Sequence, residues 1–298
     1  MSALKPLIYF SLFDHPLTEE EVFQYSEIPD RDILRKDIDK LIQKGIINRI
    51  DNFLLFEKDR QHIQKRINGN KEAKAVMPKA EKASKFIASF PFIKGVAISG
   101  SLSKGYFDSE SDFDFFVITK ARRVWLSRAI IAIYKRLFLS NSHKEFCVNY
   151  FVSTETLEIE EKNRFTATEI ATVIPMYGKS YFKEFYDHNT WIDDYFPNID
   201  VNHKLQNVKS IQKIRRSRIL EFLLDNYLGQ FINYCCMRLI TKRWDKRYKS
   251  KVNTPYKSKK EISKHHPENF QDKVIKKLNT KYESCREMHG IDIPLEHV

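Results

Sequence analysis

The chain has 298 residues, of which 42% are hydrophobic and 30% charged, and its formal net charge is +12 at pH 7. That length and balance describe a soluble globular protein with room for two or three cored domains. No apolar stretch approaches the roughly 20 residues of a membrane span. Met1-Ser2-Ala3-Leu4-Lys5-Pro6 is too short and interrupted for a signal-peptide core. The cysteines Cys147, Cys235, Cys236 and Cys285 show neither disulfide nor zinc spacing, so buried thiols in a reducing cytoplasm are expected.

In chain order, residues 1–65 form a first, well-punctuated unit. Leu7 to Phe13 has a helical look. Thr18 with Glu21 three residues later is a capping box, and Asp30 is a second N-cap, opening a helix through Lys44 with Ile33, Ile38, Leu41 and Ile42 facing inward. Gly45 ends it. Ile47 to Phe56 then reads as a hairpin about Asp51-Asn52. Three helices and a two-stranded wing resemble a winged helix-turn-helix. Its would-be recognition helix carries Arg31, Arg35, Lys36, Lys40 and Lys44 against Asp30, Asp32, Asp37 and Asp39, which leaves little net charge for phosphates. Contact with protein or presentation of a substrate is the alternative use of such a module.

Residues 66–155 carry the chemistry. Lys71 to Phe90 is alanine- and lysine-rich and helical, with a break or kink expected at Pro78. Two apolar, β-branched runs, Val96 to Ser99 and Phe113 to Thr119, flank a small polar connector, giving strand, tight loop, strand. Asp112 and Asp114 stand two apart at the head of the second strand, which puts both on one face about 6–7 Å apart at the backbone. Carboxylates that close repel unless a cation lies between them, and Mg²⁺ (or Mn²⁺) suits such donors. Gly100 permits close approach of a phosphate, and Ser101 offers a hydroxyl and an amide. A surface hairpin with two solvated aspartates is the bland alternative. Lys120, Arg122 and Arg123 follow the second strand as candidate triphosphate contacts, and Val124 to Leu139 reads as a helix covering the sheet.

Gly100-Ser101, ten intervening residues, then Asp112-Phe113-Asp114 in a hydrophobic strand resembles the signature of the DNA polymerase β-like nucleotidyltransferase superfamily. The resemblance spans about residues 90–155. It implies transfer of a nucleoside monophosphate from a nucleoside triphosphate to an acceptor hydroxyl. Metal would be held by Asp112 and Asp114, and the nucleotide by Gly100, Ser101, Lys104 and Ser111. The superfamily pattern also has a third acidic residue on a later strand. In this chain that strand, Phe146 to Val152, has Asn149 in its middle, and an amide can offer oxygen to a metal but cannot take a proton. Glu145, just before the strand, is a possible substitute.

Residues 156–298 look helical and aromatic. The run from Tyr181 to Phe196 suits either stacking on a base or packing on the sheet, and Asp187, Asp193 and Asp194 are further candidates for the third carboxylate. Residues 201–298 hold 22 Lys and Arg against 10 Asp and Glu, while the first 200 hold 29 of each, so the whole charge excess lies here. Ile219 to Ile240 reads as one long apolar helix, core or subunit contact, between the basic clusters Lys213–Arg218 and Lys242–Lys249. Such clusters attract the phosphates of nucleic acid, of a nucleotide or of an anionic membrane surface, and Trp244 and Tyr248 would suit base stacking. His265-His266 lacks partner ligands and reads as loop.

The expected architecture is therefore an α/β (α+β) nucleotidyltransferase core with a mixed sheet. A winged helix-turn-helix precedes it and a basic helical domain follows. The expected activity is metal-dependent nucleotidyl transfer to an acceptor that is a small molecule, a protein or a nucleic acid. The alternative is a catalytically weak or inactive nucleotide-binding regulator that contacts nucleic acid or protein through the winged helix or the basic C-terminal segment.

Overall fold

Short-range signals build the first unit. The computed structural model describes residues 3–56, 59–138, 144, 146–248, 256–265 and 270–297. After α1 (Leu4–Ser11) and β1 (Leu17–Thr18), Thr18 caps α2 (Glu19–Gln24). Its hydroxyl accepts the Glu21 N–H at 3.3 Å, and the Glu21 carboxylate accepts the Thr18 N–H at 2.9 Å. Asp30 caps α3 (Arg31–Gln43) by accepting from the Asp32 and Ile33 amides at 2.8 and 3.0 Å, and Gly45 exits the helix with φ +66°. The hairpin of β2 (Asn48–Ile50) and β3 (Phe53–Leu55) forms as expected, but β1 joins it to make a three-stranded antiparallel sheet of order β1-β3-β2. The inward stripe of α3 is Leu34, Ile38 and Leu41; Ile33, expected inside, is 58% exposed. The two arginines of α3 are committed locally: Arg31 pairs with Glu20 and Arg35 with Glu19, which also binds Arg49.

A second, six-stranded sheet forms the body. α4 (Arg60–Ala88) runs unbroken through Pro78, contrary to the expected break. Proline removes one backbone donor, and Ala73, Ala80, Ile87 and Ala88, buried on either side of it, keep both halves seated in the core beside the sheet. Then follow β4 (Ile93–Ser99), α5 (Gly100–Ser103), β5 (Asp114–Thr119), α6 (Val124–Phe138), β6 (Cys147–Ser153), α7 (Arg164–Thr172), β7 (Ile174–Tyr177) and α8 (Lys179–Asp187). A 3-10 turn (Thr190–Asp194) leads to α9 (Val201–Leu205), α10 (Arg215–Leu224), α11 (Tyr227–Tyr248), β8 (Tyr256–Lys259), β9 (Ile262–His265) and α12 (Phe270–His289). The strand order is β7-β4-β5-β6-β9-β8; β5 and β6 are parallel and the other pairs antiparallel, so the sheet is mixed.

Alternation along β4 and β5 divides the core into two layers. Val96, Ile98, Phe115 and Val117 point to one side, with α4, α6 and α11. Ala97, Phe116 and Ile118 point to the other, onto Phe182, Phe185 and Phe196. The aromatic run of the sequence is thus packing.

Two expectations for the C-terminal third need correction. It is not purely helical, since it supplies β7, β8 and β9 to the sheet. All three are short; β7, with Pro175, and β8, with two lysines, are the sheet edges, and β9 lies between β6 and β8. The single helix expected over 219–240 is two helices that meet at Asp225-Asn226. Arg123 Nη2 donates to the carbonyls of Leu224 and Asn226 at 2.9 and 3.2 Å, and the Asn226 side chain accepts the Gly229 N–H at 3.2 Å. His265 ends β9 rather than lying in a loop, whereas Leu139, Glu145, Lys249 and His266 lie outside the described residues. Among the described residues no helix is long and apolar enough to cross a membrane, and all four cysteines are free thiols.

The chain closes on itself. Val274, Ile275, Leu278 and Tyr282 of α12, with Ile291 and Ile293 beyond it, pack into the core of the first unit. Arg164, at the start of α7, is buried between Glu27 (Nη2 at 2.8 Å) and Glu296 (Nε at 3.1 Å), and Lys5 also binds Glu27 at 2.8 Å. Removing the cation leaves Glu296 without its ion pair and Glu27 with Lys5 alone. Arg164→Met is expected to cost about 3 kcal/mol of stability, read as a shift in the urea unfolding midpoint.

Candidate functional site

The loop between β4 and β5 is pinned along its length. Ser99 pairs with Asp114 across the two strands, and the next residue, Gly100, turns the chain with φ +67°. A Cβ at Gly100 would fall 2.3 Å from Asp114 Oδ2, so only glycine lets the turn close over that carboxylate. Tyr106 lies against Gly69 of α4, the Phe107 N–H donates to the Gly69 carbonyl at 3.1 Å, and the Tyr106 hydroxyl donates to Asp108 at 2.7 Å. Ser111 closes the last turn, donating to Asp108 Oδ1 at 2.8 Å and accepting the Asp108 N–H at 3.2 Å.

β5 begins at Asp114 rather than at Asp112. Asp112 therefore sits on irregular backbone, held by the neighbouring Phe113, whose N–H donates to Lys144 O at 2.9 Å and whose carbonyl accepts from the Cys147 N–H at 3.0 Å. Phe113, Phe115 and Val117 share one side of the core, so the alternation reaches back through Phe113 and leaves Asp112 and Asp114 toward the other side. Both line one cleft of about 660 Å³, and Gly100, Ser101, Lys104, Ser111 and Asn149 line it with them. Its walls come from the mixed sheet, α7, the end of α1 and the start of α12.

Sequence reasoning missed Glu169. This residue of α7 lines the same cleft, and its charge acts on Asp114. Lys104 Nζ bridges the two sides, donating to Glu169 Oε1 at 2.8 Å and to the Gly100 carbonyl at 3.2 Å. The available signal was a lone carboxylate in Arg164–Thr172, a helix whose other members are all buried. His15 also enters the cleft, and burial first, then Arg66, Lys104 and Lys65, push it down to about 2, so it is a neutral imidazole there.

Electrostatics single out Asp114. Burial first, then repulsion from Glu169 and Asp112, raises its carboxyl to about 6, with Lys104 and Asn149 opposing them. Asn149 Nδ2 donates to Asp114 Oδ1 at 2.8 Å, while Asn149 Oδ1 accepts from the Cys147 thiol at 3.2 Å. Burial, followed by the charge of Asp114, pushes that thiol up to about 11, so it remains a donor. Asn149 thus orients Asp114, and its oxygen is turned away from the carboxylates.

The donor set fits a hard divalent cation. Asp112 and Asp114 supply anionic oxygens whose mutual repulsion such an ion relieves. Among the described residues no three His, Cys, Asp or Glu side chains converge as a complete ligand cage. Magnesium commonly takes one or two carboxylates and fills its other positions with water and substrate phosphates. Other candidates are elsewhere. Lys120 binds Asp225 at 2.5 Å, Arg122 approaches Glu155 at 3.5 Å, and Arg123 is buried at the far end of β5, about 20 Å along the strand from Asp114. Asp187 pairs with Lys183 at 2.7 Å, and neither it nor Asp193 and Asp194 lines the cleft.

A carboxyl raised in the folded state stabilises the protein when protonated, and that contribution is lost as pH rises through the raised value. In metal-free protein, Asp114→Asn is expected to gain up to about 3 kcal/mol over the wild type on going from about pH 4 to about pH 7. Urea unfolding with a chelator measures this, and added Mg²⁺ should close the gap by stabilising the wild type alone.

No protein-family model, curated protein or solved structure matches the chain.

Proposed function

We propose that the cleft binds a nucleoside triphosphate with Mg²⁺ or Mn²⁺ and transfers its nucleoside monophosphate to an acceptor hydroxyl, the activity implied by the resemblance to the polymerase β-like nucleotidyltransferases. The observation that carries this reading is the Gly100 turn pressed onto Asp114, with the charges of Asp112 and Glu169 acting on the same carboxylate in one cleft. Gly100 and Ser101 grip the terminal phosphates, with Lys104 and Ser111 beside them. The ion held by Asp112 and Asp114 supplies charge neutralisation on the triphosphate. Asn149 fixes the Asp114 carboxylate through its 2.8 Å bond. Glu169 takes the proton as the acceptor oxygen bonds to the α-phosphorus and the bond to pyrophosphate breaks; Asn149 has no basic lone pair for that task.

The first unit, read as a winged helix-turn-helix, serves as a wall of the cleft. Phe10, Phe13 and His15 face the site from it, while Arg31 and Arg35 of α3 are occupied by Glu20 and Glu19. That favours a role in acceptor choice over DNA binding. Free thiols and nucleotide chemistry suit a cytoplasmic setting.

Calorimetric titration with Mg²⁺ and nucleoside triphosphates, paired with a pyrophosphate-release assay, tests the reading. Glu169→Gln is expected to keep nucleotide affinity within a few-fold and to slow release by roughly 100-fold. Asp112→Asn with Asp114→Asn should lose both. Undiminished nucleotide binding in the double variant overturns the site. Wild-type binding without any pyrophosphate release makes the protein a nucleotide-binding regulator instead.

A further inference from the structure

α11 is apolar around its circumference over residues 227–240, a pattern proper to a helix covered on every side. Only one side is covered. Asn233, Cys236, Met237, Ile240 and Trp244 face the sheet and α6, and Asn233 Oδ1 accepts the Trp125 and Leu126 amides at 3.0 Å. The opposite side leaves Tyr227 87%, Phe231 64% and Leu239 70% exposed. α10 repeats the arrangement: Ile219, Phe222 and Leu223, spaced to share one stripe, are all exposed, Phe222 at 83%. Continuous exposed apolar surface of this kind marks an interaction site.

Cations accompany the patch. Arg215, Arg216 and Arg218 lie one turn before the α10 stripe, and Arg238, Lys242 and Arg243 continue the open side of α11; all six are exposed. Unlike the arginines of α3, they make no ion pair among the described residues. They belong to the segment that carries the whole charge excess of the chain.

We propose that the open face of α10 and α11 seats on an anionic lipid surface, with the helices lying in the interfacial plane. Aliphatic and aromatic side chains enter the boundary of the headgroups while arginine and lysine meet lipid phosphates. A second copy of the chain would bring the same cations against one another. Trp244, the ring that the sequence places among the cations, is turned inward onto Trp125 (5.8 Å) and Arg128 (4.8 Å), and the exposed rings Phe222, Tyr227 and Phe231 belong to the apolar stripes with Ile219, Leu223, Leu228 and Leu239, which suits a lipid boundary. The docking face also leaves the cleft free. The Asp225-Asn226 corner is bound at the far end of β5 by Lys120 and Arg123, whereas Asp114 begins that strand.

Co-sedimentation of the full chain with phosphatidylcholine vesicles, with and without phosphatidylglycerol, tests this contact. Expected are pelleting with the anionic vesicles, weak pelleting with the neutral ones, and loss of the difference at high salt. Phe222→Ser with Phe231→Ser should lower partitioning at least ~10-fold. Arg215→Glu, Arg216→Glu and Arg218→Glu should each lower it roughly fivefold or more. All these positions are exposed, and an unchanged urea midpoint verifies the fold. Equal partitioning of variants and wild type overturns the proposal, as does equal binding to neutral vesicles. So does sedimentation velocity showing a dimer that the phenylalanine variant dissolves, which makes the face a self-contact, or RNA retardation lost in that variant, which makes it a nucleic-acid surface.

Discussion

Repulsion among carboxylates held in a half-dry cleft is the constraint around which the site is built. Asp114 is half-buried at the head of β5, and Asp112 and Glu169 both oppose its ionisation. Such an arrangement costs folding free energy, and it persists because the surrounding backbone leaves Asp114 nowhere else to go. Gly100 closes over it, Asn149 clamps one oxygen, and Lys104 ties the glycine turn to Glu169. Strain of this electrostatic kind is characteristic of places that receive a cation or hold a catalytic proton.

Those pieces arrive from distant parts of the chain. The glycine turn and the aspartates come from one hairpin-like unit, Asn149 from a parallel neighbour strand, and Glu169 from a helix that also anchors the buried Arg164 junction. The mixed sheet makes this economical, because β5 is flanked by an antiparallel partner on one side and a parallel one on the other. Its head therefore meets both the exit of β4 and the entry of β6.

What could be read beforehand was local. Thr18, Glu21 and Asp30 announce helix starts because capping depends on residues three apart, and the alternation of Val96, Ala97 and Ile98 shows which faces of a strand are buried. The Gly-Ser to Asp-x-Asp spacing pointed to one wall of the cleft for the same reason. Glu169 was hidden because only tertiary packing brings α7 to Asp114. β8 and β9 were hidden because short strands interrupted by lysine lack the apolar periodicity by which strands are recognised. Pro78 misled in the opposite direction: the local penalty is real, but the alanines packed on both sides of it outweigh one missing hydrogen bond. The division of the long C-terminal helix also depends on a remote partner, Arg123, which accommodates the exposed carbonyls at the corner.

The buried arginine that joins Glu27 to Glu296 has a consequence for how the protein is made. The core beside α1 is completed by Val274, Tyr282 and Ile293, and the cleft by Phe270. A nascent polypeptide therefore cannot assemble its pocket while residues 270–293 are still inside the ribosomal exit tunnel. Until they emerge, the earlier portions must wait with an apolar surface uncovered.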